Sequence, residues 1–125
     1  MFDLVLSIVF LTAYACMLAG GVFAVLSFVA FDRLLRRVWA DSEEAWMKLG
    51  KPCGFFWVPR GARSGFTTGF VRSDLYEKWA TVGEEPFAGC TEGLGNLRRY
   101  RRLAGWCHAA GALLLVGAAA MLFAG

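Results

Sequence analysis

The feature that most constrains the fold is a run of 28 residues, 4–31, that contains no charged side chain. As an α-helix this run would extend about 42 Å, which exceeds the roughly 30 Å hydrocarbon core of a bilayer. Residues 103–125 form a second apolar run, about 34 Å long as a helix, in which Cys107 and His108 are the only ionisable side chains. Hydrophobic residues make up 58% of the chain, against about 45–50% in soluble domains. We therefore predict an all-α membrane protein built on a two-transmembrane-helix hairpin.

This hairpin divides the chain into a first transmembrane helix over 1–31, a connecting segment over 32–102 and a second transmembrane helix over 103–125. We expect the first helix to be an anchor and not a cleaved signal peptide. Its first three residues, Met1-Phe2-Asp3, carry no Lys or Arg, and the apolar run is about twice the length that a signal peptide needs.

The basic residues predict the orientation of the two helices. All 13 Lys and Arg lie between Arg33 and Arg102, and they crowd against both ends of the connecting segment. The positive-inside rule then places the segment 32–102 in the cytoplasm and both termini on the far side of the membrane. At such a border, anionic lipids are the preferred partners of arginine side chains. The predicted anionic-lipid contacts are Arg33, Arg36, Arg37, Arg98, Arg99, Arg101 and Arg102.

The connecting segment is predicted to hold short amphipathic helices and an irregular loop. The first helix should continue past the membrane, because Phe31, Leu34, Leu35 and Val38 recur at helical spacing. The further predictions are a helix over 42–49, started by Asp41 and Glu44 and stopped by Gly50 and Pro52, a loop over 51–72 and a short helix from Ser73 or Asp74 to Trp79. A helix starting at Glu85-Pro86 and a last helix capped by Asn96 complete the segment.

Large apolar side chains are unusually dense in this segment, which on its own is too short to bury much of them. Three alternatives follow. The side chains lie on the membrane surface, where Trp and Phe flanked by basic residues are favoured; they dock on a partner protein; or they pack on one another as a compact cap. The candidate interface or docking residues are Trp46, Phe55, Phe56, Trp57, Leu75 and Trp79.

The chain carries few groups that predict chemistry. Cys53 and Cys90 stand 37 residues apart without a second ligand at close spacing, so we predict no metal site and expect free thiols in a reducing cytoplasm. No phosphate-binding loop or intramembrane carboxylate pair is present in the sequence. We therefore predict no catalytic residue, no cofactor and no nucleic-acid partner.

One histidine lies inside the second apolar run, and a polar group at such a depth is a candidate for function. To bind haem, His108 would need a second ligand from a partner or a symmetric dimer, and a quinone site in a dimer is the related hypothesis. The alternative is a structural histidine bonded to a carbonyl, water or the Ser27 hydroxyl.

Small residues at four-residue spacing favour close packing of membrane helices. In this chain they predict that the hairpin packs on itself, with a homodimer as the alternative. The predicted helix-packing residues are Ala15, Cys16, Ala19, Gly20, Gly105, Ala109 and Ala112.

Several short motifs resemble small two-span bacterial inner-membrane proteins of the universal stress protein B type. These motifs are Trp46-x-x-Leu49-Gly50-x-Pro52, Gly54-Phe55-Phe56, Glu84-Glu85 before a short helix, and the basic cluster 98–102 entering the last apolar run. A glycine-rich loop over 61–69 departs from that pattern. The resemblance implies residence in the inner (cytoplasmic) membrane, an association with stress and no catalysis.

The leading hypothesis is a non-enzymatic integral inner-membrane protein whose cytoplasmic segment lies on the membrane surface. The alternative is an accessory subunit that docks on a larger membrane protein complex. A haem or quinone site in a dimer, through His108, is the third hypothesis.

Overall fold

The computed structural model describes residues 1–63 and 66–125, and within them every regular element is helical. The helices are α1 (Phe2–Asp41), α2 (Glu43–Lys48), α3 (Phe66–Glu77) and α4 (Thr91–Ala124), and a π-helix (Lys78–Val82) continues α3. Both α1 and α4 are long and apolar enough to cross a membrane. The predictions of an all-helical chain and of two long apolar helices are confirmed.

The predicted continuation of the first helix beyond the apolar run is confirmed. Helix α1 runs unbroken to Asp41, and Phe31, Leu34, Leu35 and Val38 are all buried. These residues occupy one face of the helix, so burying them against the rest of the chain stabilises the helical extension.

Helix α2 lies within the predicted range, but a different residue caps it. Ser42 adopts an extended conformation, and its hydroxyl accepts the backbone N–H of Ala45 at 3.2 Å. The Ser42 cap leaves Asp41 as the last residue of α1. The stop after α2 was predicted from Gly50 and Pro52, and Gly50 there has a φ of +96°, a value that favours glycine.

Helix α3 begins earlier than predicted. The sequence predicted a loop over 51–72 and a helix from Ser73 or Asp74, whereas α3 starts at Phe66. Residues 64 and 65 of the predicted loop lie outside the described residues. The spacing of apolar residues did not predict the first turns of α3. The helix is stabilised near its C-terminal end, where Leu75 and Tyr76 are buried in the core.

Two further predictions were wrong. No helix starts at Glu85-Pro86, because the described chain between Val82 and Thr91 consists of turns, bends and irregular backbone. The last helix begins at Thr91 and passes through Gly93 and Asn96, so Asn96 does not cap it. A glycine inside a helix costs about 1 kcal/mol relative to alanine, and packing of this part of α4 offsets that cost, since Leu94 and Leu97 are almost completely buried.

The chain forms two compact units, one of residues 25–100 and one of residues 1–24 with 101–125. The first unit has its own apolar core, contrary to the expectation that the connecting segment buries too little. All of its buried members except Phe31 lie within the connecting segment 32–102, and the end of α1 and the start of α4 supply five of them. The buried members are Phe31, Leu34, Leu35, Val38, Trp46, Leu75, Tyr76, Trp79, Cys90, Leu94 and Leu97.

The second unit pairs the first part of α1 with the last part of α4 through small residues. A Cβ built on Gly20 would lie 2.6 Å from Cδ2 of His108, and one built on Gly111 would lie 3.0 Å from Sδ of Met17. Ala13 is fully buried, and its carbonyl oxygen also lies against Gly111. At Gly20 and Gly111 the helices therefore approach too closely to accept a larger residue without a shift.

Candidate functional site

The first charged residue after the apolar run ties the connecting segment to α1. Asp32 is buried, and its two carboxylate oxygens accept the backbone N–H groups of Phe55 and Phe56, each at 2.7 Å. A Cβ on Gly54 would overlap the same carboxylate. Hydrogen bonds to an ionised carboxylate are about twice as strong as neutral ones, so Asp32 fixes the stretch 54–56 at the point where the apolar run of α1 ends.

Aromatic packing reinforces this attachment. The Phe55 ring stacks on Phe28 with 4.1 Å between the ring centroids, and it meets the edges of Phe31 and Tyr76 at 5.6 and 5.5 Å. The hydroxyl groups of Tyr76 and Ser27 lie 2.7 Å apart in a buried hydrogen bond. Phe28 and Ser27 belong to the uncharged run, so α3 and the stretch 54–56 both reach the last turn of that run.

The structure separates the six predicted docking residues into two groups. Trp46, Leu75 and Trp79 are buried in the core, with exposures of 2%, 7% and 1%, and Phe55 and Trp57 pack partly against it. The sixth, Phe56, is 66% exposed. The first five are thus covered by protein to a large extent. Phe56, together with Val58 at 73% exposure, presents the apolar surface of this stretch.

The seven predicted lipid-contacting arginines also differ in their surroundings. The Arg36 guanidinium lies over the Trp57 ring at 5.4 Å, and Arg98 donates from Nε to the carbonyl oxygen of Trp79 at 3.1 Å. Arg37 lies 3.9 Å from the Asp41 carboxylate. The side chains classed as exposed are Arg33, Arg36, Arg37, Arg99 and Arg102, and those classed as partly buried are Arg98 and Arg101.

The predicted small-residue faces coincide only in part with the contact between α1 and α4. Gly20 is buried at that contact, and Cys16 and Ala19 are partly buried. Among the described residues, no atom outside the local helix lies within 4 Å of a Cβ built on Gly105. The remaining members of the predicted set are exposed, namely Ala15, Gly105, Ala109 and Ala112.

The potentially reactive groups are dispersed. In the described part of the chain, Cys16, Cys53, Cys90 and Cys107 are free thiols, and no three His, Cys, Asp or Glu side chains are grouped to hold a metal ion. Burial raises the pKa of the Cys90 thiol. The pKa of Lys78 is raised by its hydrogen bond to Asp74, which lies 3.1 Å away. Both shifts favour the form that each group already has at neutral pH, so neither predicts acid–base chemistry.

Sequence reasoning missed the residues that hold the site together. Asp32 was taken as part of the helix continuation, Gly54 and Tyr76 were given no structural role, and Ser27 was considered only as a partner for His108. One signal was available, because Asp32 is the first charge after 28 uncharged residues. An acidic residue at that position, among three nearby arginines, indicates a specific hydrogen-bond or ion-pair partner, although the sequence does not identify that partner.

Comparisons with protein families, with curated proteins and with solved structures find no match to this chain. The function is therefore inferred from the residues and contacts of the chain itself.

Proposed function

We propose that this chain is a non-enzymatic integral membrane protein with two transmembrane helices, whose connecting segment is attached to the membrane border by Asp32. The observation that carries the proposal is the bare apolar surface of both long helices. In an apolar 18-residue stretch of each helix, 11% of the residues are buried inside the protein. A core helix of a soluble protein is mostly covered, whereas lipid solvates such a surface without cost.

The helix contacts support a hairpin. Gly20 lies against His108 and Met17 lies against Gly111, so residue numbers rise along one helix as they fall along the other. The border arginines then support a cytoplasmic segment and two external termini in the inner membrane, by the positive-inside rule.

The exposed pair Phe56 and Val58 supports contact of the connecting segment with the membrane surface. The N–H of Phe56 is held by Asp32, and Asp32 follows directly on the last residue of the apolar run. If α1 spans the bilayer, Phe56 lies at the level of the headgroups, where an aromatic side chain is favoured.

A cysteine-labelling experiment tests orientation and membrane insertion together. In a variant with all four cysteines changed to alanine, Arg60→Cys places a thiol at an exposed position of the segment, and Phe2→Cys places one near the N-terminus. An impermeant maleimide added to intact bacteria should label the Phe2→Cys variant and leave the Arg60→Cys variant unlabelled until the membrane is permeabilised. The opposite pattern would overturn the orientation, and extraction of the protein by alkaline carbonate would overturn the integral-membrane proposal.

A second candidate is an accessory subunit of a membrane complex, and the same exposed side chains, Phe56 and Val58, favour it. Crosslinking from a photoreactive residue at position 56 distinguishes the two. Crosslinks to lipid support the membrane-surface proposal, and a crosslink to one defined protein supports the subunit. A stress-related role rests on the sequence resemblance alone and stays a prediction.

A further inference from the structure

A groove of about 180 Å³ lies between α1 and α4 within the unit of residues 25–100. Leu34 and Gly93 both line it, and a Cβ built on Gly93 would lie 2.6 Å from Cδ2 of Leu34. The two helices therefore meet closely here, and the groove opens beside their contact. The lining residues are Leu26, Val29, Ala30, Arg33, Leu34, Arg37, Gly93, Asn96 and Tyr100.

The groove changes in character along α1. Its α1 residues recur at intervals of three or four, so they share one face of the helix. Leu26, Val29 and Ala30 belong to the uncharged run, whereas Arg33 and Arg37 lie beyond it. From Leu26 to Arg37 the helix rises about 16 Å. The groove thus passes from a purely apolar wall to a basic one, across the position where the apolar run ends.

The polar end of the groove is suited to an anion. Arg33 forms no ion pair with any described residue, and the lining contains no Asp or Glu. Arg37 forms a long ion pair with Asp41, at 3.9 Å, and both side chains are 56% exposed. Water therefore screens this pair strongly, and the pair is weak. On α4, the Asn96 amide and the Tyr100 hydroxyl add neutral hydrogen-bond donors.

We propose that the groove binds one molecule of an anionic phospholipid. The phosphodiester lies between Arg33 and Arg37, within reach of Asn96 and Tyr100, and an acyl chain runs along Leu26, Val29 and Ala30. Arginine suits the phosphate because its planar guanidinium donates two parallel hydrogen bonds. The apolar half selects a lipid over free phosphate, which would leave that wall uncovered. The assignment deepens the proposed function and rests on it, since the lipid must reach the groove from the membrane.

Native mass spectrometry of the intact chain in detergent tests the site. The probe is dioleoyl phosphatidylglycerol, and dioleoyl phosphatidylcholine serves as the zwitterionic comparison. We expect one phosphatidylglycerol to be retained per chain. The double variant Arg33→Gln/Arg37→Gln should weaken retention about 25-fold, at about fivefold for each basic residue removed. The matched control is Arg60→Gln/Arg63→Gln, which removes the same charge from two exposed side chains outside the groove and should change retention less than threefold.

Each other outcome has a defined meaning. Equal loss in the two double variants would show diffuse attraction without a site, and equal retention of the two lipids would show an apolar groove with no headgroup selection. Displacement of the lipid by millimolar inorganic phosphate would show that the anion site does not depend on the acyl chain. Any of these results overturns the proposal. Circular dichroism of both variants checks that they fold.

Carbonate extraction of the same proteins separates this site from the proposed function. A chain that stays in the membrane fraction but retains no phospholipid contradicts the groove alone. A chain released by carbonate contradicts both.

Discussion

The carboxylate of Asp32 on α1 accepts the backbone N–H of Phe55 at 2.7 Å, although 22 residues lie between them in sequence. Its second oxygen accepts a hydrogen bond from the next backbone N–H in the chain, that of Phe56. Both donors are backbone groups, so these two hydrogen bonds depend on the path of the main chain and not on the identity of the two side chains. Asp32 thereby sets where the aromatic stretch lies along α1.

The first prediction concerns this carboxylate. Asp32→Asn keeps the shape of the side chain but replaces one acceptor oxygen with an NH₂ group that faces a backbone N–H. A buried donor without a partner costs about 1–3 kcal/mol, so the free energy of unfolding in detergent should fall by that amount. Tryptic cleavage at Arg60 and Arg63 should become faster at the same time.

The control is Asp41→Asn, which removes an exposed carboxylate from the same helix. Its effect on unfolding should stay within about 0.5 kcal/mol. Equal effects of the two substitutions would mean that the loss of one negative charge, and not the attachment of the stretch 54–56, causes the destabilisation.

The second prediction concerns neighbouring glycines in α1. Gly20→Ala places a methyl group against His108, whereas a Cβ on Gly21 meets no atom within 4 Å in the described part of the chain. Gly20→Ala should therefore lower the free energy of unfolding in micelles by about 1–3 kcal/mol through overpacking. Gly21→Ala should be neutral or stabilise by up to about 1 kcal/mol, because alanine favours the helix.

A double variant identifies the cause. Gly20→Ala combined with His108→Ala removes the ring that the new methyl group meets, so the two substitutions should be non-additive by about 0.5–3 kcal/mol. Strict additivity would show that His108 is not the group that makes Gly20 necessary.

Sequence patterns predicted the parts of this fold that depend on one segment at a time. Length and lack of charge predicted two helices that can cross a membrane, and helical spacing predicted the buried face from Phe31 to Val38. The stop after α2 followed from Gly50 and Pro52. Each of these features arises within a few turns of chain, where periodicity and turn chemistry act directly.

The features that sequence patterns missed depend on contacts between distant segments. The sequence shows Trp46, Trp79 and Phe55 only as dense aromatic residues. Whether they face lipid, a partner or one another depends on where α1 and α4 supply a core, and local spacing does not contain this information. The packing face of an Ala/Gly-rich helix is equally hard to predict. Several of its faces carry small residues, and four-residue spacing fits more than one face.

The third prediction concerns the depth of Phe56. A nitroxide attached to Phe56→Cys, in the variant without other cysteines, should collide readily with oxygen and poorly with a water-soluble nickel complex once the protein is in liposomes. This follows from the exposed side chain and from its attachment beside Asp32, because oxygen concentrates in the bilayer and the nickel complex stays in water. A label at Glu43→Cys, an exposed site at the start of α2, is the aqueous control. Equal nickel accessibility at the two sites would contradict contact of Phe56 with the membrane.

The last prediction concerns two thiols that the sequence leaves equivalent. Cys90 is 1% exposed, whereas Cys53 is partly exposed, and burial raises the pKa of Cys90. Since the thiolate is the form that attacks a maleimide, single-cysteine variants in detergent at pH 7 should react at Cys53 and remain almost unreactive at Cys90 until denaturant is added.

The sign of the pH effect on stability follows from the same shift. Above about pH 8.5 the unfolded chain loses the thiol proton while the folded chain retains it, so the Cys90 contribution to the free energy of unfolding is complete below that pH and declines as the pH rises. Denaturant titrations at pH 7 and pH 9.5 should show a larger loss of stability in the native chain than in Cys90→Ala, with Cys53→Ala as the control that behaves like the native chain. Rapid labelling of Cys90 in the folded protein at pH 7, or identical pH dependence in all three proteins, would show that Cys90 is not buried in the core.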